Sequence, residues 1–291
     1  MNTCIRHTAY GLALASVLAF AAVTPMTVVG AQATPPAPQA GAQGQAGGTP
    51  RAGGPAVPQP PPGIPPQSAR GVYPATAPDD DAGFVAIFDG TTLSGWDGDT
   101  TFWRVENGEI VGETTPEKVA KTNSFLIWRG GTLRDFELKL DFRINSTNSG
   151  IQYRSLEMPD VGKWVLKGYQ ADIEFNGGYT ANVHEERGRT GHVVLSRRGQ
   201  VTRVADGPAF KTLASIGDPT LLKGVVNTNG WNQFHIIARG PVLIHIINGQ
   251  LMSVAIDEDS KNAVAEGLLG FQMHTGPPFK VQYRNIKYRK L

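Results

Sequence analysis

The sequence has one cysteine, Cys4, and this residue precedes the first apolar segment. The rest of the chain therefore has no disulfide, no catalytic thiolate and no thiolate metal ligand. Charge is also sparse and balanced, with 27 Lys and Arg against 25 Asp and Glu and a net charge of +2. No block of basic residues is present, which argues against nucleic acid as a partner.

Long apolar runs are absent after the N-terminus, where residues 1–33 have the pattern of a secretory signal peptide. A weakly basic start at Arg6 is followed by an apolar segment over residues 11–29 and by Ala31-Gln32-Ala33, which matches an A-x-A cleavage site. The alternative is a membrane anchor, but Pro25 interrupts the apolar segment. We expect export to the periplasm or the cell exterior, with no stable membrane insertion after the signal is cleaved.

Residues 34–82 have the composition of a disordered linker. This segment holds 13 of the 21 prolines, separated by Ala, Gly and Gln. Such a segment buries too little apolar surface to offset the entropy lost on ordering. The remaining residues, 83–291, are long enough for one domain with a sizeable core.

Residues 83–291 lack any long pattern of helical period and show strand alternation instead. The stretch "DFELKLDFRI" alternates apolar and polar residues strictly, and "GYQADIEF" does the same. An Asn-Gly pair at 248–249 stands between two apolar runs, which is a strong hairpin signal. Many short strands with Gly-rich turns predict an all-β sandwich of two antiparallel sheets.

Six segments in order resemble the 3-keto-disaccharide hydrolase domain family. They are "FDGTTLSGW", "WRVENGEIVG", "DFELKLDFRINSTNSGIQYRS", "GYQADIEF", "GWNQFHIIARGPVLIHIINGQL" and "GLLGFQMHTGPPFKVQYRNIKYRKL". The resemblance covers essentially all of residues 84–291. It implies a concanavalin A-like jelly-roll sandwich, and it implies a glycoside or an oxidised sugar as substrate.

Three predicted strands carry polar residues on one face, because residues two apart in a strand share a face. The opposite faces of these strands are apolar and are expected to pack against the second sheet. If the strands are neighbours, their polar side chains converge on one surface. The predicted set is Gln152, Arg154, Gln170, Asp172, Glu174, Gln272 and His274. Solvated side chains on an exposed sheet face would give the same alternation.

The implied substrate suggests a chemistry for this set. A ketone at C3 acidifies the C2 proton, so a base can remove it and the C1 substituent departs, after which water adds. His274 or Asp172 would be the base, Arg154 would face the enolate oxygen, and Glu174 would be the acid or would hold a cation. A divalent metal is a possible cofactor. A two-carboxylate glycosidase is the other enzymatic hypothesis, and it would need a partner for Asp172 and Glu174 from another strand, such as Glu185.

The segment "NVHEERGRTGH" forms a second polar group. Its spacing does not match a zincin helix, which needs two histidines four residues apart. We expect a rim over the sheet face, with Glu185 and either Arg187 or Arg189 holding substrate hydroxyls. A non-catalytic carbohydrate-binding or adhesion module is the alternative from another functional class, since sandwiches serve both roles.

Overall fold

The computed structural model describes residues 81–189, 191–207 and 210–291. The signal peptide and nearly all of the linker lie outside these residues and stay predictions. In chain order the first nine strands are β1 (Val85–Ala86), β2 (Trp96–Asp97), β3 (Trp103–Glu106), β4 (Glu109–Glu113), β5 (Ser124–Leu133), β6 (Phe136–Ile144), β7 (Asn148–Glu157), β8 (Leu166–Glu174) and β9 (Val183–Gly188).

The other elements are β10 (Gly191–Ser196), β11 (Gln200–Val204), β12 (Phe210–Ser215), the short helix α1 (Pro219–Lys223), β13 (Asn232–Arg239), β14 (Val242–Ile247), β15 (Gln250–Asp257), β16 (Gly267–Met273) and β17 (Lys280–Lys290). No helix in the described part of the chain is long and apolar enough to cross a membrane.

The strands form two sheets, as the alternation predicts. A ten-stranded sheet has the order β12-β11-β15-β14-β13-β6-β17-β4-β3, with β1 added beside β17, and a seven-stranded sheet has the order β10-β9-β8-β7-β16-β5-β2. All pairings are antiparallel except that of β11 with β15. The predicted all-β jelly-roll sandwich is confirmed.

The core lies between the two sheets and takes the apolar positions of the alternating strands. From the seven-stranded sheet, Tyr153, Tyr169, Ile173 and Phe271 are buried in it. The Phe271 ring stacks on Tyr283 of β17 with the ring centroids 4.1 Å apart. Burial of these positions leaves Gln170, Asp172 and Gln272 on the opposite, outer face of the seven-stranded sheet.

A β-bulge in β7 overturns the predicted position of Arg154. The pairing of β7 with β8 shifts between Tyr153 and Leu156, and Arg154 has φ of +46°. Its side chain therefore leaves the predicted face, and its Nε and Nη1 donate to the carbonyl oxygens of Arg134 and Gly240 at 2.7 and 2.8 Å. Arg154 is a buried structural residue and does not converge with Asp172.

Arg154→Ala is expected to lower the free energy of unfolding by about 3 kcal/mol, because two carbonyl groups and Asp135 lose their buried donor. Arg104→Ala is the matched control, since Arg104 pairs with Glu106 and Glu113 on the surface. An exposed pair of this kind contributes up to about 1 kcal/mol. Urea unfolding of both variants checks the prediction, and equal losses would contradict it.

His245 is the buried histidine of the core, and its two ring nitrogens are both bonded. The carbonyl of Ala181 can only accept, so Nδ1 donates to it at 3.3 Å, and Nε2 accepts from the Tyr153 hydroxyl at 3.0 Å. Complete burial lowers the pKa of His245 to about 4. The imidazole is therefore neutral in the folded protein at pH values where the unfolded chain is protonated.

The pKa of His245 makes stability depend on pH. Below its ordinary value of about 6.5, the unfolded state binds a proton that the folded state does not, so the free energy of unfolding falls as pH falls. Between pH 7 and pH 5 the loss from this group is about 2 kcal/mol. His245→Gln is expected to show a correspondingly shallower pH dependence in urea unfolding. The same slope in both proteins would contradict the prediction.

Candidate functional site

A polar cavity of about 250 Å³ opens on the outer face of the seven-stranded sheet. Its lining comes from β7, β8, β9, β10 and β16, and from three loop residues, Asn123, Tyr179 and His274. Two carboxylates, three histidines and two glutamine amides meet there. The lining residues with these groups are Gln170, Asp172, His184, Glu186, His192, Gln272 and His274.

A larger recess of about 520 Å³ lies on the outer face of the ten-stranded sheet. Its lysines, Lys139 and Lys287, both pair with Asp81. The charged groups there already neutralise one another, and its lining contains no histidine. The smaller cavity is therefore the better candidate for chemistry.

Strand β8 supplies Gln170 and Asp172 to the cavity floor. Gln170 Nε2 donates to Asp172 Oδ1 at 3.0 Å, while Gln170 Oε1 is buried with no hydrogen-bond partner. Gly150 lies across from this pair in β7, and a Cβ there would stand 2.4 Å from the Gln170 amide carbon. The absence of a side chain at position 150 lets the Gln170 amide pack over its neighbouring strand.

Strand β16 and the loop after it supply Gln272 and His274. The Gln272 side chain is buried, and neither its Oε1 nor its Nε2 has a hydrogen-bond partner. His274 Nδ1 contacts the carbonyl oxygen of Thr275, which can only accept, so Nδ1 carries the proton. Nε2 is therefore the ring nitrogen of His274 that is left to accept a proton.

The hairpin of β9 and β10 supplies His184, Glu186 and His192. His184 pairs with Gln170 across the ladder, and His192 pairs with Glu186, so the three side chains share the outer face. Asp172 Oδ2 lies 3.6 Å from His184 Nδ1, and Glu186 Oε2 lies 3.2 Å from His192 Nδ1. A ligand atom from each of His184, Glu186 and His192 falls within 4.8 Å of the others, which is the spacing of a candidate metal site.

Electrostatics of the cavity are dominated by its carboxylates. Burial by itself acts to lower the pKa of His184, but the carboxylates of Asp172, Glu186 and Glu185 outweigh it and raise the pKa above the ordinary value. Asn123 Nδ2 donates to Glu186 Oε1 at 3.3 Å, and Asn123 Oδ1 accepts from the Thr275 amide at 3.0 Å. Asn123 thereby links the loop that carries His274 to the β9 carboxylate.

The predicted rim residues Glu185 and Arg187 do not line the cavity. Glu185 is buried on the inner face, where it accepts from the Arg189 amide at 3.0 Å. The same arginine binds Asp257 at 2.7 Å. Arg187, with φ of +53°, directs its Nη2 to Thr122. The prediction that Glu185 is a rim residue is wrong because it chose the opposite parity of β9, whose cavity-facing residues are His184 and Glu186. Arg187 does not line the cavity, but its Nε lies 3.5 Å from Glu186 Oε1, and its role in binding substrate hydroxyls stays a prediction.

Two further predicted residues are near the cavity but do not line it. The Glu174 carboxylate accepts from the backbone amides of Asn176 and Gly178, so it closes the turn after β8. This position does not support the predicted role of Glu174 as the catalytic acid. Gln152 is buried on the outer face beside Gln170, and its Oε1 accepts from Ser155.

A family model described as the 3-keto-alpha-glucoside-1,2-lyase-like domain matches residues 83–289. The chain belongs to this family. The resemblance to 3-keto-disaccharide hydrolases drawn from the sequence is thereby confirmed, and membership in this family supports a carbohydrate-related function. None of the curated proteins matches the chain.

Solved structures with a similar sandwich are distant from this family member in sequence. A candidate glycosyl hydrolase from Parabacteroides distasonis ATCC 8503 is 15% identical, with a TM-score of 0.47 over 72% of this chain and 99% of its own. The carbohydrate-binding module CBM66 from Bacillus subtilis is 16% identical, with a TM-score of 0.44 over 67% of this chain and 96% of its own.

A third similar structure is an endo-β-galactosidase from Clostridium perfringens that releases GlcNAcα1-4Gal. It is 12% identical, with a TM-score of 0.44 over 75% of this chain and 66% of its own. The similar structures thus include both a hydrolase and a binding module.

Gln272→Leu is expected to raise the free energy of unfolding by about 1 kcal/mol, because an apolar side chain of similar size replaces a buried amide with no partner at either end. Gln282→Leu is the matched control, since the Gln282 amide binds Arg143 and Glu109. This control is expected to destabilise the protein. Urea unfolding measures both, and a destabilised Gln272→Leu would show that its amide has partners in the free protein.

Proposed function

We propose that the chain cleaves 3-keto-glycosides in the outer-face cavity by removing the C2 proton and expelling the C1 substituent. The observation that carries the proposal is the His274 imidazole, which lines the cavity and whose Nδ1 is bonded to a carbonyl, so that Nε2 is left to act as a base. The buried amides of Gln170 and Gln272 supply further unpartnered polar atoms beside it. Family membership supports the substrate class.

His274 is the proposed general base. Its Nε2 takes the C2 proton, and the electron pair of the C2–H bond forms a double bond between C2 and C3, which places the negative charge on the C3 oxygen. As the C3 carbonyl forms again, the double bond shifts to C1 and C2. The bond between C1 and the glycosidic oxygen breaks, and that oxygen takes a proton, either from the His274 imidazolium or from water. A positioned base of this kind contributes roughly 10² to 10⁴-fold to the rate.

Gln272 is proposed to stabilise the enolate that develops at the C3 oxygen. Its Nε2 is a buried donor with no protein partner, so it can donate to this oxygen without giving up another hydrogen bond. Gln170 Oε1 is an acceptor for a sugar hydroxyl by the same reasoning. Addition of water to the double bond of the product then makes the net reaction a hydrolysis.

Asp172 is assigned a positioning role rather than the role of base. One of its oxygens accepts from Gln170, and the other faces His184, so both are occupied within the protein. These contacts fix the orientation of an amide and an imidazole of the lining. Arg154 has no part in the proposed reaction, since it is bound to the carbonyl groups of Arg134 and Gly240.

A carbohydrate-binding function is the second candidate. Tyr179 lines the cavity and is 59% exposed, as an aromatic platform for a sugar ring would be. Unpartnered amides also serve sugar binding without catalysis. This candidate predicts sugar affinity without turnover.

His274→Ala is expected to lower the rate on 3-keto-glycosides by roughly 10² to 10⁴-fold with a much smaller change in substrate affinity, because proton abstraction acts in the transition state. Glu174→Gln is the control, because it changes a carboxylate that is near the cavity but does not line it. This variant is expected to keep a rate close to that of the parent protein. Steady-state kinetics with a 3-keto-glycoside and with the unoxidised glycoside measure both.

Deuterium at C2 of the same substrate tests the step itself. Proton removal at C2 predicts slower turnover where that step limits the rate, and loss of the label to solvent, which mass spectrometry detects. Retention of deuterium through turnover would contradict the elimination. Sugar binding with no turnover of either glycoside would replace the proposal by the carbohydrate-binding function.

A further inference from the structure

We propose that His184, Glu186 and His192 bind one divalent transition-metal ion at the β9–β10 edge of the cavity. The inference rests on the positions of these three side chains and does not depend on the proposed reaction. Their candidate ligand atoms lie within 4.8 Å of one another. Ligands of a tetrahedral zinc ion, at bonds of about 2.1 Å, lie about 3.4 Å apart, so small side-chain rotations close the site.

The strands fix these residues by period and by register. His184 and Glu186 are two apart in β9 and share its outer face, and β10 places His192 directly across from Glu186. The two histidine rings stand edge to face with their centroids 5.7 Å apart. A hairpin with backbone hydrogen bonds between its strands thus holds the three donors on one rigid element.

His184 provides a second, independent observation. Its Nε2 is buried and has no hydrogen-bond partner, whereas its Nδ1 faces Asp172 Oδ2 at 3.6 Å. Histidines that bind metal through one ring nitrogen commonly donate from the other nitrogen to a carboxylate. An unpaired buried nitrogen is costly in the free protein, and a metal ion would occupy it.

Glu186 has one oxygen available for the same ion. Its Oε1 accepts from Asn123 and lies 3.5 Å from Arg187 Nε, while its Oε2 faces His192. Two imidazoles and one carboxylate form a donor set that favours zinc, cobalt or nickel over magnesium or calcium. Sites of three protein ligands keep a further position for water or a substrate oxygen.

The competing arrangement is an ion pair without metal. Protonated His192 would bind Glu186 through the observed contact of 3.2 Å. The two arrangements differ in what a third residue contributes. An ion pair does not involve His184, whereas a metal site requires His184 and, through it, the Asp172 carboxylate.

The test is metal binding to the chelator-treated full chain, measured by calorimetry with Zn²⁺ and by the visible absorption spectrum of Co²⁺. One equivalent is expected to bind, and Glu186→Gln and His192→Ala are expected to weaken binding by more than about 100-fold. Asp172→Asn is expected to weaken metal binding by about 10 to 100-fold, because it removes the carboxylate that faces His184 Nδ1. His235→Ala is the control, because His235 pairs with Glu137 at 2.8 Å on the other sheet.

The outcomes separate this site from the proposed reaction. Binding that is lost in the cavity variants and kept in His235→Ala supports the metal site, whether or not a 3-keto-glycoside turns over. Absence of binding, or binding that the three cavity variants leave unchanged, overturns it and favours the ion pair. Turnover of a 3-keto-glycoside by the metal-free protein together with absent binding would overturn the metal site alone.

Discussion

Packing of the seven-stranded sheet against the ten-stranded sheet is the constraint on which the cavity depends. The side chains of Tyr153, Tyr169 and Phe271 are buried between the sheets, so the residues that alternate with them must face outward. Register then decides which outward residues become neighbours. Gln170 stands across from His184, and Glu186 stands across from His192, so polar groups from three strands meet at one place.

The fold and the face of the cavity could be predicted from period alone. The alternation in "GYQADIEF" and "GFQMHT" requires that Gln170, Asp172 and Gln272 oppose an apolar face, and the structure places them so. Arg154 could not be placed by the same rule, because a bulge changes the parity at one residue. Gly267 packs against that bulge, where a Cβ would lie 2.5 Å from the Arg154 carbonyl carbon. Such a contact between distant segments is not visible in a local pattern.

The sequence around β9 does indicate which residues of this strand face the cavity. Every residue from His184 to Arg187 is polar, so neither face of that stretch looks apolar. Val183 is apolar and precedes it directly, and its burial in the core sets Glu185 inward and His184 and Glu186 outward. Parity counted from Val183 would have placed His184 and Glu186, two of the three metal-site candidates, on the outer face, whereas His192 is placed by the pairing of β9 with β10. The contacts of Glu174 and Arg187 could not be predicted in this way. The turn after β8 binds the Glu174 carboxylate, and a positive φ at Arg187 interrupts the alternation within β9.

The cavity keeps polar atoms that the protein itself leaves without partners. Gln272 has two, Gln170 has one and His184 has one. A buried unpaired polar group costs about 1 to 3 kcal/mol, so these residues weaken the free protein unless something else binds them. Their backbones are held by neighbouring strands, and the inner sides of the same strands are fixed in the core, so the side chains cannot relieve the cost by collapsing. Sugar hydroxyl and carbonyl oxygens are suited to the amides, and a metal ion is suited to the imidazole. A ligand of that chemistry would therefore stabilise the folded protein by binding these groups.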